Sequence, residues 1–297
     1  MDQAEQLRNI IKNKVQERTK NARTITVTSG KGGVGKSNTS INLAIQFKKM
    51  GKRVIILDAD FGLANIEIMF GLMPKYNLSD LIYNGKSIKD IITWGPMGVG
   101  FISGGSGIAG LDNLSSDSIN YIVQSLTQLD ELADIVIIDT GAGISPAVMQ
   151  FLVASSEILL VTTPEPTSIT DSYSLVKTLG KNPYFSNEFT QIKVIANKVE
   201  SEKEGKVLYN KLSLVIEKYL KIKTEYAGAV PNDTHISKAV MQQMPVSIQN
   251  PNVKATKAYE TIAYHMLQGV LEDDVEIKKG MAAFFERILK GNQLEKE

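Results

Sequence analysis

Gly30-x-x-x-x-Gly35-Lys36-Ser37 sets residue types at the spacing that binds phosphate. Its glycines let backbone amides converge on phosphate oxygens, and the helix expected to follow adds partial positive charge at its N-terminus. Lys36 is placed to neutralise the outer phosphates, and the Ser37 hydroxyl to ligate magnesium. Acids follow downstream. Asp58 and Asp60 close the run "VIILDAD" (54–60), and Asp139 follows four apolar residues in "DIVIID" (134–139). An aspartate after an apolar strand is the Walker B arrangement, a carboxylate that holds magnesium through water. Paired aspartates beside a phosphate loop suit work on magnesium and water. Gly141 and Gly143 then allow a flexible loop.

These residues need a scaffold, and the chain supplies one. Runs 24–29, 53–58, 99–103, 134–139, 157–163, 191–197 and 225–230 are short and rich in β-branched residues, with helical stretches between them. Continuous rather than alternating apolar runs are the mark of strands covered on both faces. The expected fold is α/β, a doubly wound, mainly parallel sheet with flanking helices. In such folds ligands lie beyond the carboxyl ends of the strands, where Gly30–Ser37, Asp58 and Asp139 fall. Two amphipathic stretches flank the core. Ala4, Leu7, Ile11 and Val15 keep helical spacing near the start, and Ile277, Met281, Phe284, Phe285, Ile288 and Leu289 form one face of a helix expected over 275–291.

Composition narrows the function classes. With 33 basic and 32 acidic residues, the net charge of +1 argues against bulk attraction to nucleic acid. Cysteine is absent, which excludes thiolate nucleophiles and cysteine-held clusters, the nitrogenase iron-protein type included, and fits a cytoplasmic setting. The start "MDQAEQLRNIIKNKVQERTK" lacks the apolar core of a secretory signal. No apolar run approaches the ~18 residues of a spanning helix. His235 and His265 have no ligand spacing, so the only metal expected is the magnesium carried with the nucleotide.

Lys31 is a second lysine in the loop "KGGVGKS", and this stretch resembles the deviant phosphate loop of the MinD/ParA/Soj family. There, the early lysine reaches across a dimer interface to the partner's nucleotide. The resemblance implies a P-loop ATPase that binds ATP and Mg2+ and forms a homodimer on ATP, Lys31 acting in trans as an arginine finger does. It implies nucleotide contacts from Gly30, Lys31, Gly32, Gly33, Val34, Gly35, Lys36, Ser37 and Asn38. Asp58, Asp60 and Asn65 match the family's D-x-D-x-x-x-x-N switch I. By that match Ser37, Asp58 and Asp139 hold the magnesium, partly through water, Asp60 positions the attacking water, and Lys31, Lys36 and Asp60 are the catalytic set. Thr140 and Gly141 depart slightly from the family's D-x-x-A/P-G switch II. "NKVES" (197–201) and the run from Val230 resemble segments that frame adenine, which assigns the base to Asn197, Pro231, Asn232 and Asp233.

The two ends narrow the resemblance. The C-terminal apolar face is rimmed by Lys278, Lys279, Arg287 and Lys290, a composition suited to an anionic lipid membrane surface, and resembles the membrane-targeting helix of MinD. "DQAEQLR" (2–8) resembles the D-Q-A-x-x-L-R motif of the FlhG family, also called YlxH or FleN. That family regulates flagellar number and placement, and its motif helix stimulates the GTPase FlhF. The resemblance assigns partner binding to Asp2, Gln3, Ala4, Leu7 and Arg8 and divides the chain into a partner-binding helix (1–23), a MinD-like ATPase domain (24–270) and a membrane-targeting helix (271–297). It further implies reversible, peripheral attachment to the inner face of the cell membrane, and admits flagellar basal-body components as partners. Two relatives of the same motifs compete: a MinD-type division-site ATPase, and a ParA-type DNA-segregation ATPase, which the near-zero charge and the terminal apolar helix disfavour.

Overall fold

The computed structural model describes residues 21–60, 65–105, 121, 124–268 and 280–294. Eight strands form one sheet: β1 (Arg23–Thr28), β2 (Val54–Ala59), β3 (Thr93–Trp94), β4 (Gly100–Ile102), β5 (Ile135–Thr140), β6 (Glu157–Thr162), β7 (Gln191–Val199) and β8 (Thr224–Pro231). Their order is β3-β4-β2-β5-β1-β6-β7-β8, with every pairing parallel except β3 against β4. All seven expected strands are present within a residue or two. The antiparallel β3 was not expected; two residues are too few to carry a period.

Helices cover both faces. On one lie α1 (Lys36–Lys49), α2 (Asn65–Phe70) and, further on, α7 (Thr234–Met241) and α8 (Lys254–Gln268). On the other lie α3 (Leu78–Tyr83), α4 (Pro146–Ala154) and α9 (Met281–Leu294), while α5 (Pro166–Lys181) and α6 (Glu202–Leu220) cover β6 and β7. The strand period of two assigns side chains to faces: Val54 and Ile56 enter the core under α1, Ile55 and Leu57 the opposite core. Because both cores are apolar, slipping a strand by one residue would gain no face and break the register that aligns the strand ends.

The C-terminal helix differs from expectation at its start. Gly280 has φ +117°, outside any helix, so a single helix cannot run through 275–291; α9 begins at Met281. Met281, Phe284, Phe285 and Ile288 are buried in the core beside Ala22, Leu126 and Phe151, with the Phe284 and Phe151 rings stacked 6.0 Å apart. Ile277 and the side chain of Leu289 lie outside the described residues, as do Asp2, Gln3, Ala4, Leu7 and Arg8 and the expected N-terminal helix.

Candidate active site

The phosphate loop joins the end of β1 to α1. Gly30 packs directly on α5, where any Cβ would overlap the Asp171 carbonyl. Gly35 has φ +95°, and a side chain there would strike the Asn197 amide. Behind the loop stands Asp139, fully buried at the end of β5. It accepts from Ser37 Oγ (2.6 Å), Ser40 Oγ (2.8 Å) and Lys36 Nζ (3.2 Å). Asp58 pairs with Asp139 across β2 and β5. Burial, and then the Asp139 charge, push the Asp58 carboxyl up to about 7. Ser37, Asp58 and Asp139 therefore offer hard oxygens around two buried acids that share the single Lys36 cation. That donor set fits a magnesium brought in on phosphates rather than one caged by protein alone.

Lys31 lies at the loop's rim. Its Nζ is 2.7 Å from Glu165 Oε2 and 3.0 Å from Thr167 Oγ1, at the start of α5. On the other side of the loop a cleft of about 320 Å³ is lined by Gly33, Gly35, Asn38, Asn197, Pro231, Asn232 and Asp233. Asn197 Nδ2 donates to the Val34 carbonyl at 2.7 Å, which fixes the amide; its Oδ1 is buried without a protein partner. A fixed, unused acceptor in such a cleft suits a base with an exocyclic amino group. Asp233 caps α7 through His235 N and also holds Ala255 N, so the cleft wall is tied to α8.

Residues 25–246 match the CobQ/CobB/MinD/ParA nucleotide binding domain. The antiactivator FleN of Pseudomonas aeruginosa is 39% identical over 239 residues, 80% of this chain and 84% of that protein. The flagellum site-determining protein YlxH of Helicobacter pylori is 34% identical, over 91% of this chain and 90% of its own. The chain belongs to the MinD/ParA nucleotide-binding family, in its FleN/YlxH branch. In fold it is similar to the septum site-determining protein MinD of Pyrococcus horikoshii, complexed with Mg-ADP (TM-score 0.65, 20% identity, covering 86% of this chain and 100% of that one).

In this MinD/ParA-family nucleotide-binding domain the strand order brings the expected acids together. Asp60 N donates to Asp58 Oδ1 (3.1 Å) and Ile66 N to Asp58 Oδ2 (3.3 Å), so Asp58 anchors the backbone at both Asp60 and Ile66. Asn65 Nδ2 donates to Asp60 Oδ2 (3.3 Å), and Gly141 runs alongside Asp60. The MinD-type site also contains residues not anticipated from sequence: Glu165 and Thr167, which hold Lys31, and Lys198, whose Nζ donates to the Gly33 carbonyl at 2.8 Å. Glu165 and Thr167 follow the carboxyl end of β6, so the rule that located the other site residues also pointed to them.

Proposed function

We propose that this chain is an ATP-timed switch that pairs with a second copy of itself, attaches to an anionic membrane surface, and regulates flagellar number or placement, stimulating the GTPase FlhF through residues 2–8. The observation that carries the reading is the position of Lys31. Lys36 and Ser37 already serve the phosphate cradle from within, whereas Lys31 stands at the rim, held by Glu165 and Thr167. A cation so placed is available to a triphosphate facing the rim from another copy. In that arrangement it stabilises charge developing on the transferring phosphoryl group. Lys36 neutralises the outer phosphates, Ser37, Asp58 and Asp139 hold the magnesium, which supplies Lewis-acid charge when bound, and Asp60 orients the attacking water.

Support for the flagellar role comes from the FleN and YlxH likeness, which spans most of the chain. Membrane attachment requires α9 to leave the core, since Met281, Phe284, Phe285 and Ile288 are buried there. A single such helix binds lipid weakly and two on a dimer bind far better, so pairing would control attachment. Among the described residues no helix is long and apolar enough to cross a membrane. The deciding experiment is light scattering of Asp60→Ala with ATP and magnesium, followed by flotation with vesicles containing phosphatidylglycerol. A stable dimer that floats, and its loss on adding Lys31→Ala while nucleotide binding persists, is the expected result. A monomer that binds ATP as tightly as the parent overturns the reading.

A further inference from the structure

Both ends of the described domain hang on one carboxylate. Asp130, in the short helix Leu129–Leu132, accepts at Oδ1 from the backbone N–H of Ala22 (3.1 Å) and of Met281 (2.9 Å). Its Oδ2 accepts from Ala282 N–H at 3.4 Å. Ala22 is the residue from which the chain enters β1; Met281 and Ala282 open α9. First-turn amides of a helix have no partner inside it, and an aspartate there satisfies them while its charge complements the helix dipole. Here the cap is shared with a segment from the other end of the chain.

The junction is close-packed as well as hydrogen-bonded. A Cβ on Gly280 would lie 2.7 Å from Asn21 Cβ and 3.0 Å from Asp130 Oδ1, so only glycine lets the two backbones meet over the carboxylate. Beneath them Thr24 Oγ1 donates to Met281 Sδ at 3.7 Å, and Ala22 and Met281 are both completely buried. When α9 leaves, Asp130 loses two of its three donors and Ala22 loses a wall of its packing site.

We propose that Asp130 is a clasp that makes undocking of α9 and loosening of residues 21–22 a single event. The linkage is reciprocal: whatever draws residues 21–22 off the domain also favours release of α9, and lipid that captures α9 loosens residues 21–22. Its use, coupling membrane attachment to partner binding, rests on the function proposed above; the linkage itself does not.

Hydrogen exchange read by mass spectrometry on the full chain tests it. Phe284→Asp disrupts α9 one turn beyond the junction without changing Asp130, Ala22 or Gly280, and peptides covering 21–24 are then followed beside those covering 281–288, with β7 as an internal reference. The clasp predicts faster exchange in both segments, on the order of tenfold, the scale of losing a charge-assisted cap. Gly280→Ala keeps every core side chain and strains only the junction, and it must also loosen both segments, which decides the matter should Phe284→Asp not fold. Loosening of 281–288 with 21–24 unchanged overturns the clasp. Adding ATP and vesicles of phosphatidylcholine with phosphatidylglycerol separates the two ideas. Paired loosening in the variants without any vesicle effect on the parent protein keeps the clasp and removes the membrane role; a vesicle effect on both segments supports both.

Discussion

Lys31 Nζ and Glu165 Oε2 stand 2.7 Å apart at the rim of the phosphate loop, with both side chains partly in water. The hydrogen bond and charge of Lys31 hold the Glu165 carboxyl below its usual range. If Lys31 serves a second copy, this contact must open first, and an exposed pair is easily opened. Glu165→Gln is therefore expected to lower the ATP concentration needed for pairing by a few-fold at low salt. The difference should shrink as salt is raised, since screening weakens the parent's contact. Light scattering over an ATP titration at two salt concentrations measures it. Weaker pairing in the variant would assign Glu165 a part in the interface instead of a restraint on Lys31.

Asp58 gives a pH dependence whose sign is fixed. Its carboxyl is raised from 3.8 to about 7 by burial and then by Asp139, so the folded chain holds that proton more tightly than the unfolded chain does. Between those two values the nucleotide-free protein must lose stability as pH rises, by on the order of 4 kcal/mol at most. Asp58→Asn should flatten that slope, being more stable than the parent near neutral pH while losing magnesium-dependent turnover. Urea unfolding without nucleotide across this range measures the slope. Equal slopes in variant and parent would mean Asp58 is ionised in the empty site.

Much of this was legible because the sheet is parallel and covered on both faces. Continuous apolar runs such as "VIILDA", too short for a buried helix and rich in β-branched residues, read as central strands, and their ends locate Asp58 and Asp139. What escaped depends on contacts between distant segments. The partner of Lys31 lies 134 positions away and is brought to it by β6 pairing with β1, which no local spacing records. The C-terminal apolar period continues across Gly280 while the backbone does not, so periodicity alone set the helix start too early. Nor could an amphipathic face reveal that it buries against Phe151: a stripe that suits a bilayer suits a core equally well.

Asn197 ties base recognition to the shape of the loop. Its Nδ2 is committed to the Val34 carbonyl, leaving Oδ1 as an acceptor. An adenine amino group satisfies that acceptor, whereas guanine presents a carbonyl to it, so ATP should bind more tightly than GTP. Asn197→Ala should narrow the preference by about tenfold and cost ~1–3 kcal/mol of stability, because the Val34 carbonyl is left without its donor. Calorimetric titration with both nucleotides, alongside thermal unfolding, separates the two effects. A preference that survives the substitution would place discrimination on the backbone around Pro231 to Asp233.

At the opposite end of the strands, Glu157 is held by Arg23 through two 2.8 Å contacts and by Lys193 at 3.0 Å, while Arg23 Nη1 also donates to the Met266 carbonyl. Burial would raise the Glu157 carboxyl, but the Arg23 and Lys193 charges outweigh it and hold it low. Its contribution is thus complete above the ordinary value of 4.5 and is lost as pH falls through the lower folded value. Arg23→Met should destabilise the protein by ~3–5 kcal/mol, because it strands a buried carboxylate with one partner. Arg23→Met with Glu157→Met should recover most of that loss, leaving Lys193 to reach water along its own stem. Unfolding of the three proteins near neutral pH and again near pH 4 tests both statements. If the single variant is as stable as the parent, the three charges are solvated and the network does not organise this edge of the sheet.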